Sequence, residues 1–292
     1  MALIFDRSFA APYGEAVLLS PSIRRVLANN PGPFTFTGTG TYIVGTQDVA
    51  VIDPGPSIPA HIEALKGALT GLRLTHILIT HTHADHSPAA KALKAWSGAA
   101  TYGFGPHPSP PDEGPRVEES GDRDFVPDVR VKDGDVIAIG PMTFDCLHTP
   151  GHISNHVCYA LREEKALFCG DHVMGWSTSV VTPPDGNMTD YMNALRRLMA
   201  RDDRRLYPTH GGPIENPKPF LEAYLAHRLE REAQIVECLC IGISTIPAIV
   251  TRLYAEVDQR LHPAAARTVE AHLLKLEAEG RVKSENVHYT MT

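Results

Sequence analysis

Three histidines and one aspartate crowd into six positions, His81-Thr82-His83-Ala84-Asp85-His86. Imidazole nitrogen and carboxylate oxygen suit zinc, with bonds of roughly 2.0 to 2.2 Å. A tight loop brings alternate residues to one side, so His81, His83, Asp85 and His86 converge on one volume that could serve two metals. Four ligands cannot complete two coordination shells, and the reading therefore demands histidine and aspartate from elsewhere. They are present: His152 follows Thr149-Pro150-Gly151, Asp171 follows Phe168-Cys169-Gly170, and His210 follows Tyr207-Pro208-Thr209.

The elements around these residues must aim them. Ile77-Leu78-Ile79 reads as a strand buried on both faces, and Pro88 with the alanines after it opens a helix with Ala89, Ala92, Leu93 and Trp96 on one side. Upstream, Thr39 to Gly45 and Val49 to Ile52 predict strands, and Asp53 follows as either a turn former or a support for the metal site. Ile62, Leu65 and Leu69 have helical spacing over 59–69. Between Gly103 and Gly134 lies an acidic stretch rich in proline (Pro106, Pro108, Pro110, Pro111, Pro115), expected as an exposed connection. Strands resume at 136–139 and 142–147, a helix covers 191–199, and a strand at 204–207 leads into His210. This βαβα rhythm predicts an α/β layered fold whose catalytic domain spans 1–215.

The remainder, 216–292, predicts a linker helix over 219–240 with Leu221, Leu225, Leu229, Ile235 and Val236 as its apolar side. Two helices follow, 245–254 and 262–279, and a hairpin ends the chain. Helix, helix and hairpin suit a small winged-helix-like domain. From Asn216 onward nine basic residues face ten acidic ones, so the tail lacks the basic excess with which a protein neutralises phosphates. Covering the sandwich or forming a homodimer fits that balance better.

Composition is that of a globular protein, 43% hydrophobic and 21% charged over 292 residues. The formal net charge of −7 gives no global attraction to nucleic acid or anionic lipid. Five cysteines, mostly among apolar residues, odd in number and without paired metal-binding spacing, read as buried free thiols in a reducing compartment. Charge at Asp6 and Arg7 interrupts the start before any long apolar run, and no later run is long enough for a bilayer. The expectation is a cytoplasmic protein with no membrane partner.

With all seven ligand positions in order, the chain resembles the metallo-β-lactamase superfamily, whose HxHxDH motif is met by residues 81–86. The resemblance implies an αββα sandwich and two zinc ions, with manganese or iron tolerated by the same ligands. His81, His83 and His152 match the first-metal set, and Asp85, His86 and His210 the second, with Asp171 bridging. It implies hydrolysis by a metal-bridging hydroxide that Asp85 orients. Members that open β-lactams usually carry cysteine where this chain has Asp171, so the match is to the acyl and phosphodiester hydrolases of the superfamily. The tail further resembles the branch typified by β-lactamase-like protein two, which implies single-stranded RNA as a substrate. The neutral tail, the acidic stretch and Trp176 favour a small ester, thioester or lactone, with RNA as the alternative and a non-enzymatic binding module as the least supported reading. Asn155, His156, Trp176 and Ser177, close to the ligands in sequence, are the candidate substrate contacts.

Overall fold

The computed structural model describes residues 3–108 and 120–292. Short runs of branched and aromatic residues build two facing sheets. The first contains β1 (Ala16–Leu18), β2 (Ile23–Leu27), β3 (Gly40–Gly45), β4 (Asp48–Ile52), β5 (Arg73–Leu78), β6 (Ala100–Gly103) and β7 (Val129–Arg130), side by side in chain order. Its first four strands pair antiparallel, and β4 to β7 run parallel. The second contains β8 (Val136–Ile139), β9 (Met142–His148), β10 (Val157–Leu161), β11 (Ala166–Gly170) and β12 (Arg205–Pro208), all antiparallel except the parallel β11–β12 pair.

Strand alternation divides the core into three layers. In β4, Ala50 and Ile52 join Tyr42, Phe144, Tyr159 and Phe168 between the sheets, while Val49 and Val51 face the opposite side. That opposite side is covered by α1 (Pro59–Ala68) and α2 (Ala90–Ser97) through Leu65, Leu69 and Leu93. In β10, Cys158 and Ala160 turn outward to α3 (Met188–Met199) and α4 (Pro217–Cys240), meeting Tyr191, Leu195, Leu221 and Tyr224. The arrangement is the predicted αββα sandwich.

After α4 come α5 (Ile246–Leu253), α6 (His262–Ala278) and the hairpin β13 (Val282–Glu285) with β14 (His288–Met291). They close their own core of Ile235, Ile249, Val269, Leu273, Leu276 and Val282 against the end of α4. Ala271 of α6 also packs into the outer sandwich core, which seats this unit on the catalytic layers.

Three local expectations differ from the structure. Trp96 is exposed, because α2 begins at Ala90 and turns Ala89, Ala90 and Leu93 inward. Leu229 is exposed too, since α4 buries the stripe Leu221, Leu225, Arg228, Glu232 and Ile235. Cys240 is exposed, while the other four cysteines are buried free thiols. Of the proline-rich stretch, Pro110, Asp112 and Glu118 with their neighbours at 109–119 lie outside the described residues. Its flanks are not merely a surface connection: Phe125 enters the core, and residues 120–122 pair with the His81–His86 loop. Among the described residues no helix is long and apolar enough to cross a membrane.

Candidate metal centre

Every predicted ligand sits just beyond the C-terminal end of a strand, so both sheets contribute from one edge of the sandwich. The His81–His86 loop leaves β5 and is fixed to both. Thr80 donates through its N–H and hydroxyl to Asp53, which follows β4, at 2.8 and 2.7 Å. The Thr80 carbonyl accepts from Val157 N–H, which starts β10 (2.8 Å). Further along the loop, Ala84 N–H donates to Ser120 and Asp122 N–H to Thr82, while the Ser87 hydroxyl donates to the Asp122 carboxylate. Gly151, at φ +135°, lets the next ligand loop pass against α3; a Cβ there would lie 2.3 Å from Tyr191 Cα.

The fold brings all seven predicted ligands together and buries each. Three overlapping groups place their ligand atoms within 4.8 Å of one another: His81, His83 and His152; His81, His86 and Asp171; and Asp85, His86 and His210. His83 Nδ1 lies 3.0 Å from His81 Nε2 and 3.2 Å from His152 Nε2. His210 Nε2 lies 3.0 Å from Asp85 Oδ2 and 3.4 Å from Asp171 Oδ2. Asp171 therefore reaches residues of both outer groups.

The rear ring atoms are held as metal-ligating histidines require. His152 Nδ1 donates to the Val180 carbonyl (2.7 Å), His210 Nδ1 to the Gly38 carbonyl (3.1 Å) and His86 Nδ1 to Asp53 Oδ2 (2.9 Å). Donation from Nδ1 leaves the Nε2 lone pair of each ring facing inward. Asp53 accepts from Thr80, His86 and also Thr209, so it ties two ligand loops at once. Its left-handed backbone, φ +47°, aims the carboxylate into the fold.

Electrostatics within the protein are those of a cation site. Burial, with neighbouring imidazoles, pushes His81 and His83 well below the usual histidine range. Burial opposes charge on both Asp171 and His86, but His210 and His86 hold Asp171 well below its ordinary value, and Asp85, Asp171 and Asp53 raise His86 well above its own. His210 is raised to about 10, burial again being outweighed by Asp171 and Asp85. Both carboxylate oxygens of Asp85, Oδ1 of Asp171 and Nε2 of His86 are buried without a hydrogen-bond partner. An unpaired imidazole nitrogen and unpaired carboxylates of this type fit divalent metal, because unpaired buried charge is otherwise costly.

Five of the predicted ligands, His83, Asp85, His152, Asp171 and His210, open onto a cavity of about 320 Å³. Trp176 lines it, stacked on Phe36 at 4.8 Å between ring centres, and Ser177 lines it beside the Tyr224 hydroxyl that donates to its carbonyl. Asn155 and His156 do not. The turn after His152 folds both inward: Asn155 Nδ2 donates to Thr82 Oγ1 (2.8 Å), and His156 pairs with Thr149 Oγ1 (2.8 Å) behind the ring of His81. The opposite wall comes from the tail, through Arg228, Arg231, Tyr254, Val257, Leu261 and Ala264. Sequence reasoning missed this wall. A cation at Arg228 on the i, i+4 and i, i+3 stripe of α4, whose one other charge is Glu232, was the available signal.

A sequence profile for the metallo-beta-lactamase superfamily matches residues 35–210, the span carrying every ligand. The chain belongs to this superfamily. A second profile, the beta-lactamase associated winged helix domain, matches residues 245–287. The superfamily relatives include a beta-lactamase-like protein 2 homolog from Caenorhabditis elegans, 32% identical over 93% of this chain and 88% of its own length. Another is an atrochrysone carboxyl ACP thioesterase from Cryptosporiopsis sp., 33% identical over 78% of this chain and 66% of its own. Among solved superfamily structures, a beta-lactamase domain protein from Burkholderia ambifaria aligns with a TM-score of 0.82 over 99% of this chain and 97% of its own, at 19% identity. That likeness establishes the fold. Superfamily membership with relatives named as thioesterases makes the chain a hydrolase.

Proposed function

We propose that the chain is a dinuclear metal hydrolase of small acyl substrates, thioesters first among them, with zinc the ion its nitrogen and oxygen donors suit best. His81, His83 and His152 would hold one ion, Asp85, His86 and His210 the other, and Asp171 would span the two. Manganese or iron fits the same donors. When bound, the ions supply Lewis acidity and a coordinated water titrating near about 7. The protein's part is orientation and proton handling. Asp85, with both oxygens free of protein hydrogen bonds, orients the attacking water and accepts its proton. A C–O bond forms, the C–S bond breaks, and the thiol leaves with a proton.

The observation that carries this reading is the cavity. Its volume of about 320 Å³ matches a small-molecule site, and its far wall of Tyr254, Val257, Leu261 and Ala264 suits an acyl chain. The winged-helix unit sits over the ligands and lends side chains to a compact pocket, which supports a covering role more than an RNA track. The relatives named as carrier-protein thioesterases support the same chemistry. Free cysteines and the absence of a long apolar helix among the described residues support a cytoplasmic setting. The test is a metal titration of the chelator-treated protein, read by mass spectrometry and by release of thiol. Activity rising to a plateau at two equivalents supports the reading; a plateau at one, or turnover without metal, refutes it.

A further inference from the structure

The cavity carries charge that hydrolysis at the metals does not use. Arg228 is 3% exposed. Its guanidinium lies over the ring of Tyr191 at 5.0 Å and near that of Tyr224 at 5.8 Å, and Nη2 donates to the Ser179 carbonyl. Its Nε is buried with no hydrogen-bond partner. The neighbouring acid on the same helix face, Glu232, is taken by Lys275 at 2.8 Å and Arg281 at 3.3 Å. Three residues on from Arg228, half-buried Arg231 lies over Tyr254 at 4.3 Å and donates to the Leu253 carbonyl. Among the described residues no carboxylate pairs with either arginine, and the only carboxylates lining the cavity are Asp85 and Asp171 at its metal end. Burial and the two arginine charges push His227, which lines the cavity with them, down to about 4, so it adds no charge there near neutral pH.

A buried guanidinium without a counter-ion is costly, and the cost is recovered when an anion of matching shape arrives. One segment links Arg228 to the candidate metal ligands: the carbonyl of Ser179 accepts from Arg228, and that of Val180 accepts from His152. We propose that Arg228 and Arg231 bind an oxyanion at the far end of the acyl group, so that the substrate is an ω-carboxyacyl thioester. This rests on the acyl-hydrolase reading. A phosphate on the carrier arm is the other source of such an oxyanion; the small cavity and the depth of Arg228 favour the flat carboxylate.

The test compares zinc-loaded full-length protein on adipoyl and hexanoyl thioesters of N-acetylcysteamine, which carry no phosphate, beside hexanoyl-coenzyme A. The expected result is a kcat/KM at least tenfold higher for the adipoyl compound, expressed in KM, with hexanoyl-coenzyme A gaining nothing. Both R228Q and R231Q should erase the preference, and R228K should retain part of it. A preference for hexanoyl-coenzyme A alone, or an adipoyl preference intact in either glutamine variant, overturns the proposal. Calorimetry of the free acids reads the subsite without turnover. Adipate and hexanoate each offer the metals one carboxylate, so adipate binding at least tenfold tighter, and equally in R231Q, reports the arginines. If no thioester is turned over yet that difference holds, the acyl-thioester reading falls and the anion subsite stands. Equal binding of the two acids by the wild type removes the subsite. Should R228Q fail to fold, R231Q and the wild-type acid pair still decide.

Discussion

Replacing Asp53 by asparagine should weaken one metal and spare the other. The Asp53 carboxylate accepts from Thr80 N–H and both threonine hydroxyls, Thr80 and Thr209, and from His86 Nδ1 at 2.9 Å. Thr80 N–H and His86 Nδ1–H are fixed donors, and only the two hydroxyls can rotate to suit an amide. Asparagine also tolerates the left-handed backbone at φ +47°, whereas alanine would add strain and leave four donors unpaired. The D53N chain should therefore fold, with its amide set against His86 Nδ1–H. Loss of a buried support of this type costs about 10- to 100-fold in metal affinity, or roughly 1.4 to 2.7 kcal/mol. His86 belongs to the group with Asp85 and His210 and to that with His81 and Asp171, but not to the group with His81, His83 and His152. Competition with a fluorescent chelator should resolve two steps in the wild type, with D53N moving the weaker-set step by that factor and leaving the other within about twofold. Equal loss of both ions, or no change in either, would refute the assignment of Asp53 as a support for one half of the site.

Two further outcomes follow from the same geometry. Gly151→Ala forces a Cβ to within 2.3 Å of Tyr191 Cα at φ +135°, so denaturant unfolding should show a loss of roughly 3 kcal/mol or more together with weaker metal binding through His152; a loss under about 1 kcal/mol would contradict the packing. Stability should also fall on acidification from pH 7 to about 4.5. Burial lowers His61 to about 4, so below about 6.5 the unfolded chain takes up a proton that the folded chain refuses, and stability rises with pH across that window. The contribution of His61 is about 2 to 3 kcal/mol, and H61Q should flatten the urea-midpoint profile by that order; an unchanged profile would show that His61 titrates normally.

The ligand set and the layers were legible in the sequence because each rests on a short local pattern. The spacing of residues 81–86 is carried by one loop, and the apolar runs at 49–52 and 77–79 announce strands, the second buried on both faces. Asp53 was left between two readings, since nothing near it in sequence shows that its carboxylate meets Thr209 across 156 residues. Asn155 and His156 were misdirected by proximity: the turn after His152 folds them against Thr82 and Thr149, away from the cavity. Trp96 and Leu229 matched a helical stripe but lie at its border, where a shift of one residue in the helix face exposes a side chain. The tail's contribution to the pocket depends on how two cores dock, and Ala271 and Arg228 reveal that only in three dimensions.

The central claim, an acyl hydrolase dependent on two metals, is tested most directly by one assay. Zinc-loaded protein is given a thioester panel and, in parallel, a fluorescent single-stranded RNA, with Asp85→Ala, its fold checked by circular dichroism, as the control. Thioester cleavage falling at least about 10²-fold in the variant, with RNA intact, is the predicted result. RNA cleavage that vanishes in the variant while every thioester survives would contradict the account and make the winged-helix wall a candidate RNA contact.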